Sequence, residues 1–188
     1  MITYKENNMK KSILYGLFAV IVIALFLWAN FVYQPFGEKD PLLILEKQAE
    51  TLNAQGDFAV IGKGVSRSVQ IARQKAELDA RVKLAQMQGE FVENLQKAYE
   101  KEAGGSDSVI SAQFKELKKS LTGTVKGSHS IEELSTEQDG MPSTHILMSV
   151  AANDFRTHLN SELQKYPELL ESLKKSQAGK GMLEEGLN

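Results

Sequence analysis

The sequence predicts an α+β domain with a small antiparallel sheet of about three strands packed against two or more helices, preceded by one N-terminal transmembrane helix. Three observations lead to this prediction. A stretch of 21 residues without charge lies near the N-terminus, from Ile13 to Tyr33. Beyond it, long segments with apolar residues at helical spacing alternate with short β-type segments. The composition, 42% hydrophobic and 24% charged over 188 residues, is typical of a folded protein.

The apolar stretch is long enough to cross a membrane. At about 1.5 Å per residue a helix of this length covers roughly the 30 Å of a bilayer's hydrocarbon core, and Trp28 and Tyr33 lie where aromatic residues favour the interface. A cleaved secretory signal is the alternative. Its apolar core would measure about 7 to 15 residues, and the best cleavage site, after Ala29, has Leu27 where a small residue is needed. We therefore expect an uncleaved anchor over residues 13–34.

The charges that flank the span predict its orientation. Lys5, Lys10 and Lys11 precede it in a head of residues 1–12, whereas residues 34–40 carry two acids and a single lysine. Positive flanks stay in the cytoplasm, so the main domain is expected in the periplasm, on the outer side of a bacterial inner membrane. Everything beyond the head has 19 basic and 23 acidic residues, a net charge of −4. Nucleic-acid binders need clustered positive charge, so this class of partner is not expected.

Beyond the span we expect three parts: a juxtamembrane linker with a short helix (35–56), a periplasmic α+β domain (57–166), and a C-terminal helix with a flexible tail (167–188). The short helix begins where Asp40 can act as a cap and Pro41 can occupy the first turn. Its apolar seam lies either on the folded domain, which so short a seam favours, or on a neighbouring copy. The seam consists of Leu42, Leu45, Ala49 and Leu52.

The main domain is expected to begin with a strand and a long helix. Residues 58–61 are a short apolar strand, and Gly62 and Gly64 are expected to turn the chain. Ser66 or Ser68 can cap the helix that follows, because a serine side chain accepts a hydrogen bond from the first turn. The strand and the helix are therefore adjacent in the chain and joined by a small turn.

The long helix is expected to continue at least to Gln88. Residues 90–103 extend it if it is continuous across Gly89, and the glycines that follow end it. A second helix is predicted over residues 109–121, since four apolar residues recur there on one stripe. Two helices in succession supply one layer of the α+β domain.

A hairpin and a last helix complete the predicted domain. Residues 122–134 and 144–151 read as two strands joined by the turn-rich segment STEQDGMPS. Asn153 or Asp154 is expected to cap the helix that follows, and Pro167 to interrupt it. Two antiparallel strands from the hairpin and one from the start of the domain give the predicted three-stranded sheet.

The long helix has two apolar stripes instead of one. At 100° per residue, Ala72, Ala76 and Ala80 form a ridge that allows close approach to a sheet or another helix. A second stripe on the opposite side needs a second surface, either the helix at 109–121, which we favour, or another subunit. The candidate interface residues are this second stripe, Ile71, Leu78, Val82 and Ala85, together with Leu42, Leu45 and Leu52 of the short helix.

The glycines before the long helix raise the question of a phosphate site, because helix N-termini attract anions. The segment has no third glycine of the dinucleotide pattern and no Gly-Lys-Ser/Thr pair of a nucleotide-binding loop. We therefore expect the turn to serve backbone geometry. A binding module for an anionic ligand at the Gly62–Ser68 turn is the alternative function.

The sequence offers no catalytic constellation, and we predict no enzyme activity, no metal and no cofactor. His129, His145 and His158 lie in different elements, and the chain has no cysteine to act as nucleophile or ligand. His145 is out of phase with the apolar residues of its strand, so it is expected to be exposed. The acidic pairs 132–133 and 184–185 point apart or into solvent, which does not make an acid/base pair.

Three segments of the chain share a pattern with a known family. FAVIGKGVSRSVQIARQKAELDARVKLAQMQG is followed by helices and then by GTVKGSHSIEEL and STHILMSVAANDF. These segments resemble the Lpp-twenty lipoprotein family, in which a short strand with small residues leads into a helix with an Ala-x-x-x-Ala/Asp-Ala-Arg pattern. The residues that match this pattern are Ala72, Ala76, Asp79, Ala80 and Arg81.

The resemblance implies an envelope protein that multimerises. The family includes a flagellar basal-disk lipoprotein, and some of its members form rings or disks around flagellar motors without enzyme activity. The family's lipid-modified cysteine is absent here and a transmembrane helix takes its place, which favours an inner-membrane anchor. We therefore expect a membrane-anchored structural protein whose periplasmic domain oligomerises or docks into a larger assembly, with a flagellar motor as the assembly that the resemblance implies.

Overall fold

The structure, a computed structural model, describes residues 40–181 of the chain. The predicted cytoplasmic head, the predicted transmembrane helix and the end of the predicted tail lie outside these residues. Between Asp40 and Gly181, no helix is both long enough and apolar enough to cross a bilayer. The described residues belong to one compact unit that begins at Asp40, so the short helix is part of the folded domain and not a separate linker.

The described chain has six helices and three strands. The helices are α1 (Pro41–Ala54), α2 (Val69–Ala103), α3 (Ser108–Gly123), α4 (Ala152–Leu163), α5 (Pro167–Lys175) and α6 (Gln177–Lys180). The strands are β1 (Phe58–Val65), β2 (His129–Gln138) and β3 (Met141–Val150). They form one antiparallel sheet in the order β1-β3-β2. The predicted α+β class, with three antiparallel strands packed against helices, is confirmed.

The hairpin between β2 and β3 is tighter than predicted. Only Asp139 and Gly140 form its turn, and both have positive φ, 52° and 72°. A two-residue Asp-Gly turn matches the twist of the strands it joins, so no longer loop is needed. The residues that were expected to form the loop extend the strands instead, and β2 begins at His129 and not at residue 122.

The long helix α2 is continuous across Gly89 and ends at Gly104, whose φ of 74° is the left-handed conformation that glycine adopts readily. At about 1.5 Å per residue it is roughly 52 Å long. The helix α3 turns back along its second half, and Asp107 caps α3 by accepting hydrogen bonds from Val109 N and Ile110 N at 2.8 and 3.2 Å. The two helices contribute seven buried residues to the main hydrophobic core: Leu84, Val92, Leu95, Ile110, Phe114, Leu117 and Leu121.

Aromatic side chains join the sheet to α2 and α4. The rings of Phe58, Phe91 and Phe155 contact each other edge to face, with centroids 4.6 to 6.2 Å apart. The start of α4 has no side-chain cap from its own first turn, contrary to prediction. Asp57 supplies the acceptor instead, because its Oδ1 lies 2.8 Å from the N–H of Ala152.

The helix α1 covers the sheet face opposite α2. Leu45, only 2% exposed, and Ala49 pack there on Ala59 and Leu147, with Leu52 beside them. Leu45 and Leu52 were candidate interface residues, and this is a correction, since they bury their apolar surface on the chain's own sheet. Leu42 is half-buried at the start of the same helix. The interpretation in which the seam packs on its own domain is the one that the structure supports.

The C-terminal residues from 167 to 180 form the helices α5 and α6, which dock on the domain. Leu169 and Leu173 of α5 are fully buried. A carboxylate of α2 caps α6, because Glu102 Oε1 and Oε2 accept from the N–H of Gln177 at 2.8 Å. The polypeptide between α5 and α6 turns so closely that a Cβ atom at Gly179 would lie 2.1 Å from Leu173 O.

Candidate functional site

The strand β1 and the helix α2 touch backbone to backbone. Gly62 and Gly64 lie inside β1 and pair with β3, so they do not form the predicted turn. A Cβ atom at Gly62 would lie 2.0 Å from Ala76 O, and one at Gly64 would lie 2.0 Å from Ala72 O. The alanine ridge of α2 is completely buried in this contact. The two glycines therefore serve packing, since no other residue leaves room for the helix.

Side chains of α2 also close the free edge of β1. Its outward-facing backbone groups would otherwise be open to another strand. One lysine, one aspartate and a second lysine, spaced one helical turn apart, reach these groups. They make the contacts Lys75 Nζ to Val65 O at 3.2 Å, Lys63 N to Asp79 Oδ2 at 2.9 Å, and Lys83 Nζ to Ile61 O at 2.8 Å.

The aspartate is held in place by both of its neighbours. Burial raises the pKa of Asp79, but hydrogen bonds from Lys83 and from the N–H of Lys63, with the charge of Lys83, bring that pKa below its usual value. Asp79 and Lys83 also form an ion pair at 2.8 Å. The sequence analysis did not predict this pairing of Asp79 with β1.

An asparagine completes the closed edge near the start of β1. Asn53, just before the end of α1, donates to Ala59 O at 2.9 Å and accepts from Ala59 N at 2.8 Å. Its amide therefore bonds to the strand as a neighbouring strand would. Four side chains from two helices thus satisfy most of the outward-facing groups of β1.

The segment proposed as an anion site does not form a glycine loop. Its two glycines belong to β1, and the turn itself is reduced to residues 66–68. Ser68 occupies the N-cap of α2 without a side-chain hydrogen bond to the helix, and Ser66 N donates to Pro142 O at 3.1 Å. No backbone cradle therefore supports the alternative of an anionic ligand at Gly62–Ser68.

The second stripe of α2 is exposed, although coverage by α3 was the favoured prediction. Ile71, Leu78 and Val82 are 48%, 64% and 48% exposed. The helix α3 covers only the continuation of the stripe, starting at Gly89, where a Cβ atom would lie 3.1 Å from side-chain atoms of Lys118 and Thr122. The interpretation that α3 fills the whole stripe is therefore wrong for its N-terminal half.

A groove continues the exposed stripe toward α3. It has a volume of about 440 Å³, and its lining includes Val82, Ala85, Gln86, Gly89, Glu93 and Lys118. Lys118 and Glu93 form an ion pair beside it. The exposed apolar residues and the groove thus form one continuous surface along α2, with small residues at its C-terminal end.

His145 is buried, contrary to prediction, with 7% of its surface exposed. The period-two rule expects one solvated face, but β3 is the central strand and α1 covers its second face. Burial, with the charge of Lys63 next, lowers the pKa of His145 although Asp40 acts in the opposite direction. Its Nδ1 has no hydrogen-bond partner among residues 40–181.

His158 is the second buried histidine, and it lies on α4 beside Glu162. Burial and then the charge of Lys126 lower the pKa of His158. Hydrogen bonds from Lys165 and Ser120 lower the pKa of Glu162. Within the described part of the chain, no three histidine, aspartate or glutamate residues converge as a metal site would require.

Comparisons with models of protein families, with curated proteins and with solved structures find no match to this chain. The surfaces of the domain itself are therefore the features that indicate its function. Among the surfaces of residues 40–181, the second stripe of α2 combines exposed apolar side chains with a groove that continues it.

Proposed function

We propose that this chain is a non-enzymatic, membrane-anchored envelope protein whose periplasmic domain assembles with further copies of itself through the second stripe of α2. One observation carries the proposal: Ile71, Leu78 and Val82 are exposed in a row on a helix whose opposite face is fully buried. Soluble domains seldom expose an apolar row without a use for it, because such surface favours association.

The apolar area of the stripe is small, but anchoring in one membrane makes it sufficient for association. Three half-exposed aliphatic side chains contribute about 1 kcal/mol each when a partner covers them. That gain alone gives weak association in solution, since association costs translational freedom. Copies held by the span at residues 13–34 share one membrane, and tethering raises their effective concentration to roughly the millimolar range. A weak lateral contact is then enough for assembly.

The resemblance to the Lpp-twenty family supports the same function. Members of that family multimerise in the envelope, and some surround flagellar motors, which extends the proposal to docking into a larger motor-associated assembly. The pattern residues Ala72, Ala76 and Ala80 lie buried under the sheet. The pattern itself therefore serves the fold, and the assembly surface is the opposite side of the same helix.

The experiment is the mass of the full-length protein after it is cross-linked in reconstituted bilayers, where the copies share one membrane, and then measured in detergent by light scattering. We expect a multimer for the wild type, and smaller particles for Leu78→Glu and Val82→Glu with unchanged circular dichroism melts, because a carboxylate in an apolar contact is strongly disfavoured. Val109→Glu is the matched control, since Val109 is 52% exposed on α3 outside the stripe. A wild type that is monomeric in detergent and in reconstituted bilayers refutes the proposal.

A further inference from the structure

The two edges of the sheet differ in whether their outward-facing backbone groups are hydrogen-bonded. Four side chains close the edge of β1, as described above. The other edge is β2, a strand of ten residues whose side chains are all exposed except the half-buried Leu134. Among residues 40–181, no side chain or loop bonds to its outward-facing backbone. An open edge of this length is a template for pairing with another strand.

The register identifies the groups that point outward. In an antiparallel ladder the N–H and C=O of one residue point to the same side, and the side alternates along the strand. Side chains of α1 and α2 bond to backbone groups of the odd-numbered residues of β1, so these residues direct their N–H and C=O groups outward. The even-numbered residues of β1 therefore bond to β3, and the odd-numbered residues of β3 bond to β2. These face the even-numbered residues of β2 from Glu132 to Gln138. Glu133, Ser135 and Glu137 therefore direct their N–H and C=O groups away from the sheet.

The open edge is acidic. The strand β2 has three glutamates, at positions 132, 133 and 137, and no lysine or arginine. Glu133 already contacts one cation, Arg73 of α2, at 3.2 Å. Glu137 has no ion-pair partner among the described residues and lies on the same face of the strand as Glu133, four residues away.

A depression lies directly beside this edge. It has a volume of about 520 Å³ and is lined by Val69, Ser135, Thr136, Glu137, Gly140 and Pro142. Val69 is 56% exposed and gives the depression one apolar wall. Side chains from an added strand would enter this space, because alternate side chains of that strand point to the face of the sheet on which it lies.

We propose that the outer edge of β2, at residues 133–137, binds an extended segment of another protein that carries lysine or arginine residues. The main-chain groups supply the pairing and the glutamates supply the selectivity for positive charge. A second copy of this chain is the wrong occupant, because pairing two β2 strands would gather six carboxylates and like charges across a strand pair are destabilising. Basic residues four positions apart on the partner would face Glu133 and Glu137. This surface is separate from the stripe of α2.

The test uses the full-length protein in detergent and a labelled peptide of ten residues, in which valine and threonine alternate and two lysines stand four positions apart. We expect saturable binding by fluorescence anisotropy and slower amide exchange at Glu133, Ser135 and Glu137. Ser135→Pro should weaken binding by about tenfold, because it removes one outward N–H and no bond within the sheet. The matched control Ser135→Ala keeps that N–H and should bind as the wild type does.

If Ser135→Pro has a lowered melting temperature by circular dichroism, a charge-reversal variant provides the test instead. Glu137→Lys should bind the lysine peptide about tenfold less tightly and gain affinity for the same peptide with glutamates in place of the lysines. The proposal is overturned by no saturable binding to the wild type, or by equal binding to a folded Ser135→Pro variant. A fall in particle mass for Ser135→Pro without peptide would also overturn it, since a second copy would then occupy the edge.

Discussion

Gly64 and Ala72 lie so close that a single added carbon has no room between them. A Cβ atom on Gly64 would stand 2.0 Å from the carbonyl oxygen of Ala72, well inside van der Waals contact. Backbone atoms cannot move aside as the end of a flexible side chain can. This contact therefore fixes the position of α2 on β1, and with it the side of the helix that faces away from the sheet.

The first prediction concerns this contact. Gly64→Ala should destabilise the domain by about 1 to 3 kcal/mol, because overpacking a dense contact forces the strand and helix apart. Chemical denaturation of a fragment of residues 40–188 measures the change. Gly105→Ala is the control, since a Cβ at that position meets nothing within 4 Å. Equal stability of the two variants would show that the helix can shift at no cost.

The second prediction concerns the closed edge of β1. Asp79→Ala removes the acceptor for Lys63 N and the ion-pair partner of Lys83. We expect a loss of about 1 kcal/mol and faster aggregation on heating, because an opened edge pairs with other chains. Light scattering during a thermal ramp measures the aggregation. Glu116→Ala is the control for charge, since Glu116 forms an exposed ion pair with Lys119. Asp79→Ala must aggregate faster than Glu116→Ala does.

The sequence pattern was sufficient to predict the class of fold and the burial of one side of α2. Apolar periodicity identified the long helix, and the spacing of Ala72, Ala76 and Ala80 identified the face that packs closely. Local spacing could not identify the partners of Asn53 and Asp79. Asp79 bonds to a strand residue 16 positions away, and such a pair forms only once the helix lies on the sheet.

The errors have a common physical cause. Glycines between an apolar strand and a helix usually make a turn, and only the depth of the strand–helix contact shows that Gly62 and Gly64 stay in the strand. The prediction that His145 is exposed was wrong because the alternation rule assumes that one face of the sheet meets solvent. The helix α1 covers that face. The shortness of its seam favoured packing on the chain's own domain, but spacing alone left Leu45 among the candidate interface residues.

The third prediction concerns topology. The charges before residues 13–34 predict an uncleaved span with the described domain outside the cytoplasm. A C-terminal reporter that is active only in the periplasm should therefore be active, and the product should have the mass of the full chain. An inactive reporter on an expressed, full-length product would contradict the orientation. A product about 29 residues short would contradict the uncleaved anchor.

The last prediction concerns pH and the two buried histidines. Burial lowers the pKa of both His145 and His158 from the usual 6.5, so the folded state resists protonation while the unfolded chain accepts it. The unfolded state then binds more protons below about pH 6.5, and stability falls with pH in that range. Glu162 has a lowered pKa as well, from a usual 4.5, so its contribution is present above that value and is lost as the pH falls below it.

Denaturation of the same fragment at a series of pH values separates these contributions. Stability should decrease from about pH 6.5 downward, flatten once the folded histidines titrate, and decrease again below about pH 4.5. His145→Gln and His158→Gln should each reduce the slope of the first decrease, because the substituted side chain takes up no proton in either state. His129→Gln is the control for the substitution itself, since His129 is exposed on β2. A slope near pH 6 that survives both buried substitutions would show that other groups carry the pH dependence.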